Sequence, residues 1–474
     1  MTQPPIAIIG AGIGGLVLGR TLAKHAIPYV IYERFPSLKQ YNYGVTLLSE
    51  QLDTLSTITG VDRAEFISHV AVDGAIGGTG RVETRWPHQL TANEEKDTIR
   101  SDDDLYLGCF RANRGKIESL LVSGLNIQYG SNIRSIDISS GKPIIEISTE
   151  ESDDDVPNRS AQHDIVIAAD GVHSTIRQCL LPFHKPQVAR IVAIYGKRRV
   201  PKELLLESNV WYKRRSAYMD FKVEAQHRFV AGIKENTKDI VKDVVTRISI
   251  ANVKDDAAAV DIEWVYSRPS RTRGKMDPLC KPDRSTGEAN VIHESFFDEV
   301  RLLHETKHGY PALWSRVFDI REMKTDRKLS WLMRTVHVPE QYSLKSLAEK
   351  GVLFIGDSIH AEPIIGGQGY NNAIHDATIL ADELSQTGPW RKSGEEDGVS
   401  RSEPRPDFVS SQTGPSSKLG DFYTTWRKLW DIGVRRSEWR LRSIHDARPA
   451  PPHPQAVRAQ GKKPAASFEA EHKL

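Results

Sequence analysis

A glycine-rich segment around residue 360 combines acidic, histidine and amide side chains at a spacing that suits ligand binding. It follows a short apolar run at residues 352–355 and leads into apolar residues at helical spacing. The expected order is a strand, an acidic turn at Asp357, a glycine-rich loop and a helix. Glycines at a helix entrance expose backbone N–H groups, where the helix dipole favours negative charge. The loop therefore suits a ligand with sugar-like hydroxyls and a ring that becomes anionic.

A second glycine motif lies near the N-terminus, after an apolar run at residues 6–9. Leucines at helical spacing follow it, and a further apolar run at residues 29–32 ends in Glu33. In this strand–turn–helix context a G-x-G-x-x-G motif predicts a dinucleotide site, with an acid about 20 residues on to hold a ribose. Because Glu33 repels a 2′-phosphate, the expected ligand is FAD or NAD and not NADP. Together with the loop near residue 360, which suits a reduced flavin, the motif favours FAD. Its glycines are Gly10, Gly12 and Gly15.

Three further side chains each allow two interpretations. Asp170, with Gly171, ends an apolar run at residues 164–169, and it either contacts a ligand or caps the helix that follows. Arg114 begins an amphipathic segment, and its guanidinium either pairs with a pyrophosphate or forms a surface salt bridge. His360 lies beside the glycine-rich loop, and we interpret it as a structural hydrogen-bonding group in preference to a catalytic one.

The composition is that of an enzyme without nucleic-acid partners. The chain has 474 residues, which predicts two domains with appendages, and its 64 basic and 62 acidic residues leave a net charge of +2. The three cysteines show no metal-binding spacing, so we expect free thiols, no metal site and a cytoplasmic location. No apolar run reaches the roughly 20 residues of a transmembrane helix.

The three motifs together resemble those of the class A, single-component FAD-dependent aromatic hydroxylases, including members from fungal secondary metabolism. The resemblance extends over roughly residues 1–386 and is most specific in the last motif. That motif is similar to the family pattern G-D-A-x-H-x-x-x-P-x-x-G-Q-G-x-N-x-x-x-x-D-A. The anchors that match are Gly356, Asp357, His360, Gly367, Gln368, Gly369, Asn371, Asp376 and Ala377, and Pro363 stands one place before the proline of the pattern.

The resemblance implies an α/β fold, with a Rossmann-like (GR2-type) FAD-binding domain, a β-sheet substrate domain and a C-terminal helix. It also implies that NAD(P)H reduces FAD and that O2 then forms a C4a-hydroperoxyflavin, which hydroxylates an aromatic or polycyclic substrate. It assigns no catalytic residue. The implied cofactor-binding residues, from the pyrophosphate cradle to the isoalloxazine loop, are Gly10, Gly12, Gly15, Glu33, Arg114, Asp170, Gly171, Asp357, Pro363, Gly367, Gln368, Gly369 and Asn371.

The predicted domains follow from these motifs and from changes in composition. The FAD-binding domain takes residues 1–185 and 296–386, and a substrate-binding β-sheet domain takes residues 186–295. A disordered linker at 387–418, an amphipathic helix at 419–447 and a disordered tail at 448–474 complete the chain. The helix carries an aromatic stripe beside a basic face, which favours packing on the enzyme, with weak contact to an anionic membrane surface as the alternative.

The substrate domain offers only weak candidates for individual roles. Trp211, Tyr218 and Phe221 are candidates for a flat aromatic pocket, although strand aromatics usually belong to the core. For a base that deprotonates a phenolic substrate, Tyr212, Tyr218 and His227 are the candidates, and none is preferred.

Other reactions and one other class of protein fit parts of the same pattern. Flavin-dependent epoxidation and oxidative decarboxylation use the same scaffold. A halogenase is disfavoured because no W-x-W-x-I-P motif occurs, and a Baeyer–Villiger enzyme because Ile364 stands where its fingerprint has Trp. A non-catalytic binding protein of the Rab-escort or dissociation-inhibitor type shares the fold, and a purified protein without flavin absorbance would indicate it.

Overall fold

The computed structural model describes residues 5–82, 109–149, 159–206, 218–222, 243–253, 258–271, 277–281, 289–305, 312–338, 341–365, 367–387 and 415–445. In chain order its strands are β1 (Ile6–Ile9), β2 (Tyr29–Tyr32), β3 (Gly44–Leu47), β4 (Phe110–Asn113), β5 (Ile127–Gln128), β6 (Ser131–Asp137), β7 (Ile144–Thr149), β8 (Arg159–Gln162), β9 (Val166–Ala168), β10 (Gln187–Val188), β11 (Ile191–Pro201), β12 (Tyr218–Lys222), β13 (Val245–Val253), β14 (Ala259–Pro269), β15 (Arg327–Ser330), β16 (Arg334–Thr335) and β17 (Val352–Phe354). Its α-helices are α1 (Ile13–Lys24), α2 (Ser49–Thr59), α3 (Arg63–Val70), α4 (Arg114–Val122), α5 (Thr175–Leu180), α6 (Lys202–Leu206), α7 (Ser295–Glu305), α8 (Ala312–Val317), α9 (Ile320–Thr325), α10 (Gln341–Glu349), α11 (Asp357–His360), α12 (Gly369–Thr387) and α13 (Pro415–His445).

The first sheet is parallel and has the strand order β17-β9-β1-β2-β5. Its inner strands are short apolar runs, and β1, β2, β9 and β17 are buried at every position, as expected of a sheet covered on both faces. Ile8 pairs with Ile31 on one side and with Ile167 on the other. Because the strands are parallel, the loops that follow β1, β2, β9 and β17 all emerge at one edge of the sheet.

The second large sheet is antiparallel, with the order β12-β13-β14-β11-β15. One core packs against it, in which the rings of Trp264, Phe296, Trp314 and Phe318 stack or tilt against one another. Helices α7, α8 and α9 contribute to this core. It therefore reaches past residue 295, where the predicted substrate domain ends, and it takes in residues that we had placed in the FAD-binding domain. An apolar helical pattern does not reveal which of two cores it covers, which explains the difference.

Helix α13 begins at Pro415, several residues before the predicted start at 419, and it ends at His445. Proline suits the first turn of a helix, where its missing N–H is not needed. The aromatic stripe packs inward, since Phe422, Trp430 and Val434 are buried. The disordered linker predicted at 387–418 is wrong at both ends, since Thr387 ends α12 and residues 415–418 begin α13; residues 388–414 and the predicted tail at 448–474 lie outside the described residues. None of the helices in the described ranges has the length and apolar character that crossing a bilayer requires.

A buried ion-pair cluster ties α7 to β14. Arg268 is almost fully buried, and it donates to Asp277 Oδ2 at 2.5 Å and to Glu299 Oε2 at 2.7 Å. Tyr266 donates its hydroxyl to the same Glu299 oxygen. Each carboxylate is thus neutralised and hydrogen-bonded inside the second core.

We expect Arg268→Met to lower the free energy of unfolding by about 3–5 kcal/mol, because it leaves the buried Asp277 without its cation and Glu299 with only Arg271 at 3.0 Å. The matched control is Arg301→Met on the neighbouring helix face, where Arg301 and Asp298 form an exposed pair at 2.8 Å and the change costs at most about 1 kcal/mol. Denaturant titration of both variants measures the difference. Equal effects of the two substitutions would contradict a structural role for the buried cluster.

Candidate cofactor-binding site

In the loop after β1, two glycines stand where a side chain would not fit, and a third faces open space. A Cβ at Gly10 would lie 2.7 Å from the Ala169 carbonyl oxygen, and one at Gly15 would lie 1.9 Å from the Gly10 carbonyl oxygen. A Cβ at Gly12 would meet no atom within 4 Å. Gly12 is also the N-cap of α1, and it supplies no side-chain cap for the helix. An uncapped helix N-terminus that faces open space is the arrangement that binds phosphates.

Glu33, at the end of β2, braces this loop. Its Oε2 accepts a hydrogen bond from the Ala11 N–H at 2.7 Å, and its Oε1 accepts one from the Phe35 N–H at 3.0 Å. A carboxylate has about four acceptor positions, so two remain for the hydroxyls of a ribose. The predicted ribose contact and the observed bracing role are therefore compatible.

Asp170, at the end of β9, fits both of its predicted roles, with one oxygen for each. Its Oδ2 accepts from the Thr175 N–H at 2.7 Å, which caps α5. Its Oδ1 is buried and has no hydrogen-bond partner among the described residues. Burial raises the pKa of this carboxyl. Gly171 follows with a positive φ of 79°, which turns the chain away from the sheet.

Asp357, at the end of β17, has the same character. Its Oδ1 is buried and lacks a partner among the described residues, and burial raises its pKa to about 6. Gly369, the first residue of α12, faces this oxygen, since a Cβ there would lie 3.0 Å from it. Asp357 and the N-terminus of α12 therefore lie side by side, as a site for a polyol beside a flavin ring requires.

Arg177 connects the two acidic loops, and the sequence analysis did not assign it to the site. The side chain is fully buried and donates to the Ser358 carbonyl at 2.5 Å and to the Val172 carbonyl at 2.6 Å. Its position one helical turn after the N-cap Ser174 was visible in the sequence. The carbonyls that it holds come from the fold and not from any motif.

The loop before α12 is held by Glu362, which sequence reasoning also missed. Its Oε2 accepts from the Gln368 N–H at 2.5 Å, and its Oε1 accepts from the Asn372 side chain at 2.7 Å. At Gly367 there is no room for a side chain, because a Cβ would lie 2.2 Å from the Pro363 carbonyl oxygen. The loop is thus fixed in shape.

Asn371 ties this loop to β3. Its Oδ1 accepts from the Leu48 N–H at 3.1 Å, and its Nδ2 donates to the Thr46 carbonyl at 3.0 Å. The contacts of Pro363, Gly367, Gln368, Gly369 and Asn371 with a flavin ring remain predictions.

Arg114 is largely buried, so the surface salt bridge of the alternative reading is not what forms. Its Nε donates to Glu118 Oε1 at 2.7 Å, and the side chains are 19% and 2% exposed. The guanidinium lies 3.9 Å from the centre of the Tyr41 ring, and it also donates to the Tyr43 hydroxyl. Burial raises the pKa of Glu118, and Arg114 opposes that rise.

The antiparallel sheet faces the Pro363–Gly369 region with a small apolar cluster that contains Tyr195, Met333 and Ile365. The Tyr195 ring stacks on Trp331, with centroids 4.6 Å apart and planes at 17°. Its hydroxyl donates to Glu263 Oε1 at 3.1 Å. Sequence reasoning did not single out these aromatics.

Of the aromatic residues proposed for the pocket, two lie on an edge strand and the others fall outside the described chain. Trp211, Tyr212 and His227 fall outside the described residues. Tyr218 and Phe221 are on β12, at the edge of the antiparallel sheet. The described residues contain no group of His, Cys, Asp and Glu side chains placed to hold a metal ion.

Comparisons with known proteins agree with this site. A family model described as an FAD binding domain matches residues 236–393. The FAD-dependent monooxygenase adaC of Aspergillus niger is 28% identical over 448 residues, which cover 93% of this chain and 94% of that enzyme. The FAD-dependent monooxygenase aptC of Emericella nidulans is 28% identical, with 93% of this chain and 95% of that enzyme covered.

Solved structures share the fold. CtdE in complex with FAD and a substrate superposes with a TM-score of 0.59 at 14% identity, over 94% of this chain and 90% of that chain. Klebsiella pneumoniae HpxO with FAD and uric acid superposes with a TM-score of 0.57 at 14% identity, over 94% and 89%.

The fold and the unfilled hydrogen-bonding positions at the sheet edge define an α/β flavoprotein. Its similarity to the fungal FAD-dependent monooxygenases extends over most of the chain. The protein is therefore an FAD-dependent enzyme, which rejects the non-catalytic Rab-escort alternative.

We expect Gly12→Ala to abolish FAD retention while the flavin-free protein keeps its fold. The new methyl occupies the space over the α1 N-terminus, but it meets no protein atom, so the melting temperature falls by at most about 3 °C. Gly15→Ala is the contrasting variant, because its methyl collides with the Gly10 carbonyl and both stability and FAD are lost. Full flavin occupancy in folded Gly12→Ala would refute the predicted cradle.

We expect FAD to bind more weakly as the pH falls through 6. The groups that act on Asp357 are His360, Glu362, Arg114 and Asp376, and burial dominates by raising its pKa to about 6. A bound hydroxyl that donates to Asp357 favours the ionised form and lowers this pKa, so FAD prefers the ionised protein. At about pH 5 only about a tenth of Asp357 is ionised without FAD, which predicts roughly tenfold weaker binding than at about pH 7.

Titration of the flavin-free protein with FAD across this pH range measures the effect, and Asp357→Asn is the control that cannot ionise. The pKa of Asp357 is raised in the folded state, so protonation of this carboxyl stabilises the flavin-free fold. The contribution of Asp357 to the free energy of unfolding therefore increases as the pH falls through 6. A loss of FAD affinity at lower pH is therefore not caused by unfolding that titration of Asp357 drives. The same pH dependence in Asp357→Asn would sink the assignment.

Proposed function

We propose that the enzyme uses NAD(P)H and O2 to hydroxylate an aromatic or polycyclic, electron-rich small molecule of secondary metabolism. The observation that carries this proposal is the apolar cluster in which Tyr195 of the antiparallel sheet and Met333, just after that sheet's last strand, meet Ile365 of the glycine-rich loop. Such an apolar surface beside a flavin held by that loop suits a flat apolar substrate. The fungal relatives adaC and aptC, both FAD-dependent monooxygenases, support the reaction class.

The flavin supplies the redox chemistry once reduced by a nicotinamide, and it activates oxygen. The chain supplies position and exclusion of water. The Gly12 cradle and Asp357 are assigned to hold the pyrophosphate and the polyol. Met333 and Ile365 keep the space beside the loop dry, which protects a reactive oxygen species from water.

Tyr195 is a hydrogen-bond donor and not a base. Burial and the neighbouring Glu263 carboxylate raise its pKa far above the ordinary value, so the hydroxyl stays protonated and donates to Glu263. Glu263 is in turn paired with Arg111 at 2.9 Å. The pair is therefore assigned to fix the Tyr195 ring, and with it the orientation of Trp331, in the wall of the pocket.

The decisive test is oxidation of NADH and NADPH by the FAD-loaded enzyme across a panel of phenols and aromatic polyketides. We expect at least one compound to stimulate nicotinamide oxidation and to give a product heavier by one oxygen. With ¹⁸O2, that oxygen carries the label. An epoxide, or a product that has lost carbon dioxide, would move the assignment to the corresponding alternative on the same scaffold.

Gly12→Ala is the matched control, because the same preparation without bound FAD reveals any contaminating reductase. Nicotinamide oxidation that yields only hydrogen peroxide with every compound would contradict hydroxylation of this substrate class. Cytoplasmic location remains a prediction, and it rests on the three free cysteines Cys109, Cys179 and Cys280.

A further inference from the structure

The C-terminal helix α13 contacts the residues that support the acidic turn at Asp357. It lies beyond residues 236–393, which the FAD-binding family model matches. The contact is made by Trp430, whose indole N–H donates to Asp376 Oδ1 at 2.9 Å. Both side chains are buried, at 8% and 3% exposure.

Asp376, on α12, fixes the turn with its other oxygen. Its Oδ2 accepts from the Gly356 N–H at 2.8 Å and from His360 Nε2 at 2.6 Å. The Gly356 backbone has a φ of 58°, a conformation that favours glycine and that needs support from its surroundings. Asp357 follows directly, so the direction of its carboxylate depends on the hydrogen bond between Gly356 and Asp376.

Trp430 contacts a second member of this network. Its ring stacks on His360, with centroids 4.6 Å apart and planes at 24°. The ring therefore closes one side of the His360–Asp376 pair, while its N–H satisfies the remaining carboxylate oxygen. A buried carboxylate that loses one donor is expected to shift or to draw in water.

We propose that Trp430 is a positioning residue for FAD, acting through Asp376 on the Gly356–Asp357 turn. The inference rests on the assignment of Asp357 to the cofactor. The indole N–H holds Asp376, Asp376 holds the Gly356 N–H, and the turn presents the free Asp357 Oδ1 to the cofactor.

Other aromatic residues of α13 make different contacts and provide the comparison. Trp426 lies one helical turn earlier and packs edge-on against His375, with centroids 5.1 Å apart. Tyr423 accepts from the Phe354 N–H at 2.6 Å, at the end of β17. Trp430 also packs against Phe422 and Tyr423, so Trp426 controls for the loss of an indole from this helix, and a variant that keeps the ring shape of Trp430 isolates its N–H.

The experiment compares Trp430→Phe with the matched control Trp426→Phe in FAD titrations of the flavin-free, full-length protein. Phenylalanine keeps an aromatic ring against His360 but removes the N–H. We expect the Kd for FAD to rise about tenfold in Trp430→Phe, equivalent to about 1.4 kcal/mol, and to change less than about twofold in Trp426→Phe. Both flavin-free variants should stay folded at the temperature of the titration, which their melting curves check. Equal Kd values for both variants would overturn the proposal.

A second variant covers the case in which Trp430→Phe does not fold. Replacement of Trp430 by 3-benzothienylalanine, through codon suppression, keeps the shape of the ring and exchanges only the N–H for sulfur. We expect the same tenfold loss of affinity, and wild-type affinity in this protein would refute the role of the N–H.

Hydrogen exchange provides a readout that a purely structural role does not move. The amide of Gly356 should exchange faster in Trp430→Phe than in Trp426→Phe, because its acceptor is less well held; equal protection contradicts the proposal. These measurements do not depend on turnover. A wild-type protein that binds FAD but oxidises no aromatic compound would reject the proposed function and leave this inference standing.

Discussion

The parallel pairing of β1, β9 and β17 is the constraint on which the site depends. These strands come from residues 6–9, 166–168 and 352–354, yet Ile8 pairs with Ile167, and Ile167 pairs with Leu353. Parallel pairing brings their carboxyl ends to one edge, and each strand is followed there by a glycine or an acid. Three loops that are remote in sequence thus become one surface. The long crossovers that this arrangement requires contain the antiparallel sheet and its helices, whereas α12 and α13 follow β17.

The same edge carries polar groups that the protein alone leaves unsatisfied. The Oδ1 atoms of Asp170 and Asp357 are buried without partners in the described chain, and the N-terminus of α1 at Gly12 has no side-chain cap. A buried polar atom without a partner costs about 1–3 kcal/mol. On the predicted assignment, hydroxyls of FAD donate to these two oxygens and remove that cost, which would couple FAD binding to the local order of the edge. Hydrogen bonds of Arg177 and Glu362 within the protein hold the loops in place.

The sequence predicted the positions of these loops well, because each follows from a short apolar run that ends in a recognisable motif. It did not predict the partners that hold them. Glu362 and Trp430 act through contacts between elements that no local pattern encodes, and Tyr195 and Trp331 meet only because β11 and β15 are neighbours. The boundary at residue 295 was misplaced for the same reason. An amphipathic sequence predicts that a helix packs against a core, but it does not predict which of two cores the helix covers.

Helix α13 links the cofactor side of the molecule to the substrate side. Near its middle, Trp430 supports the turn at Asp357, and further along Leu441 joins the apolar cluster of Tyr195 and Ile365. At its end, His445 lies 3.2 Å from the Ser267 hydroxyl of the antiparallel sheet. One helix outside both sheets therefore contacts the proposed flavin loop and the proposed substrate wall together.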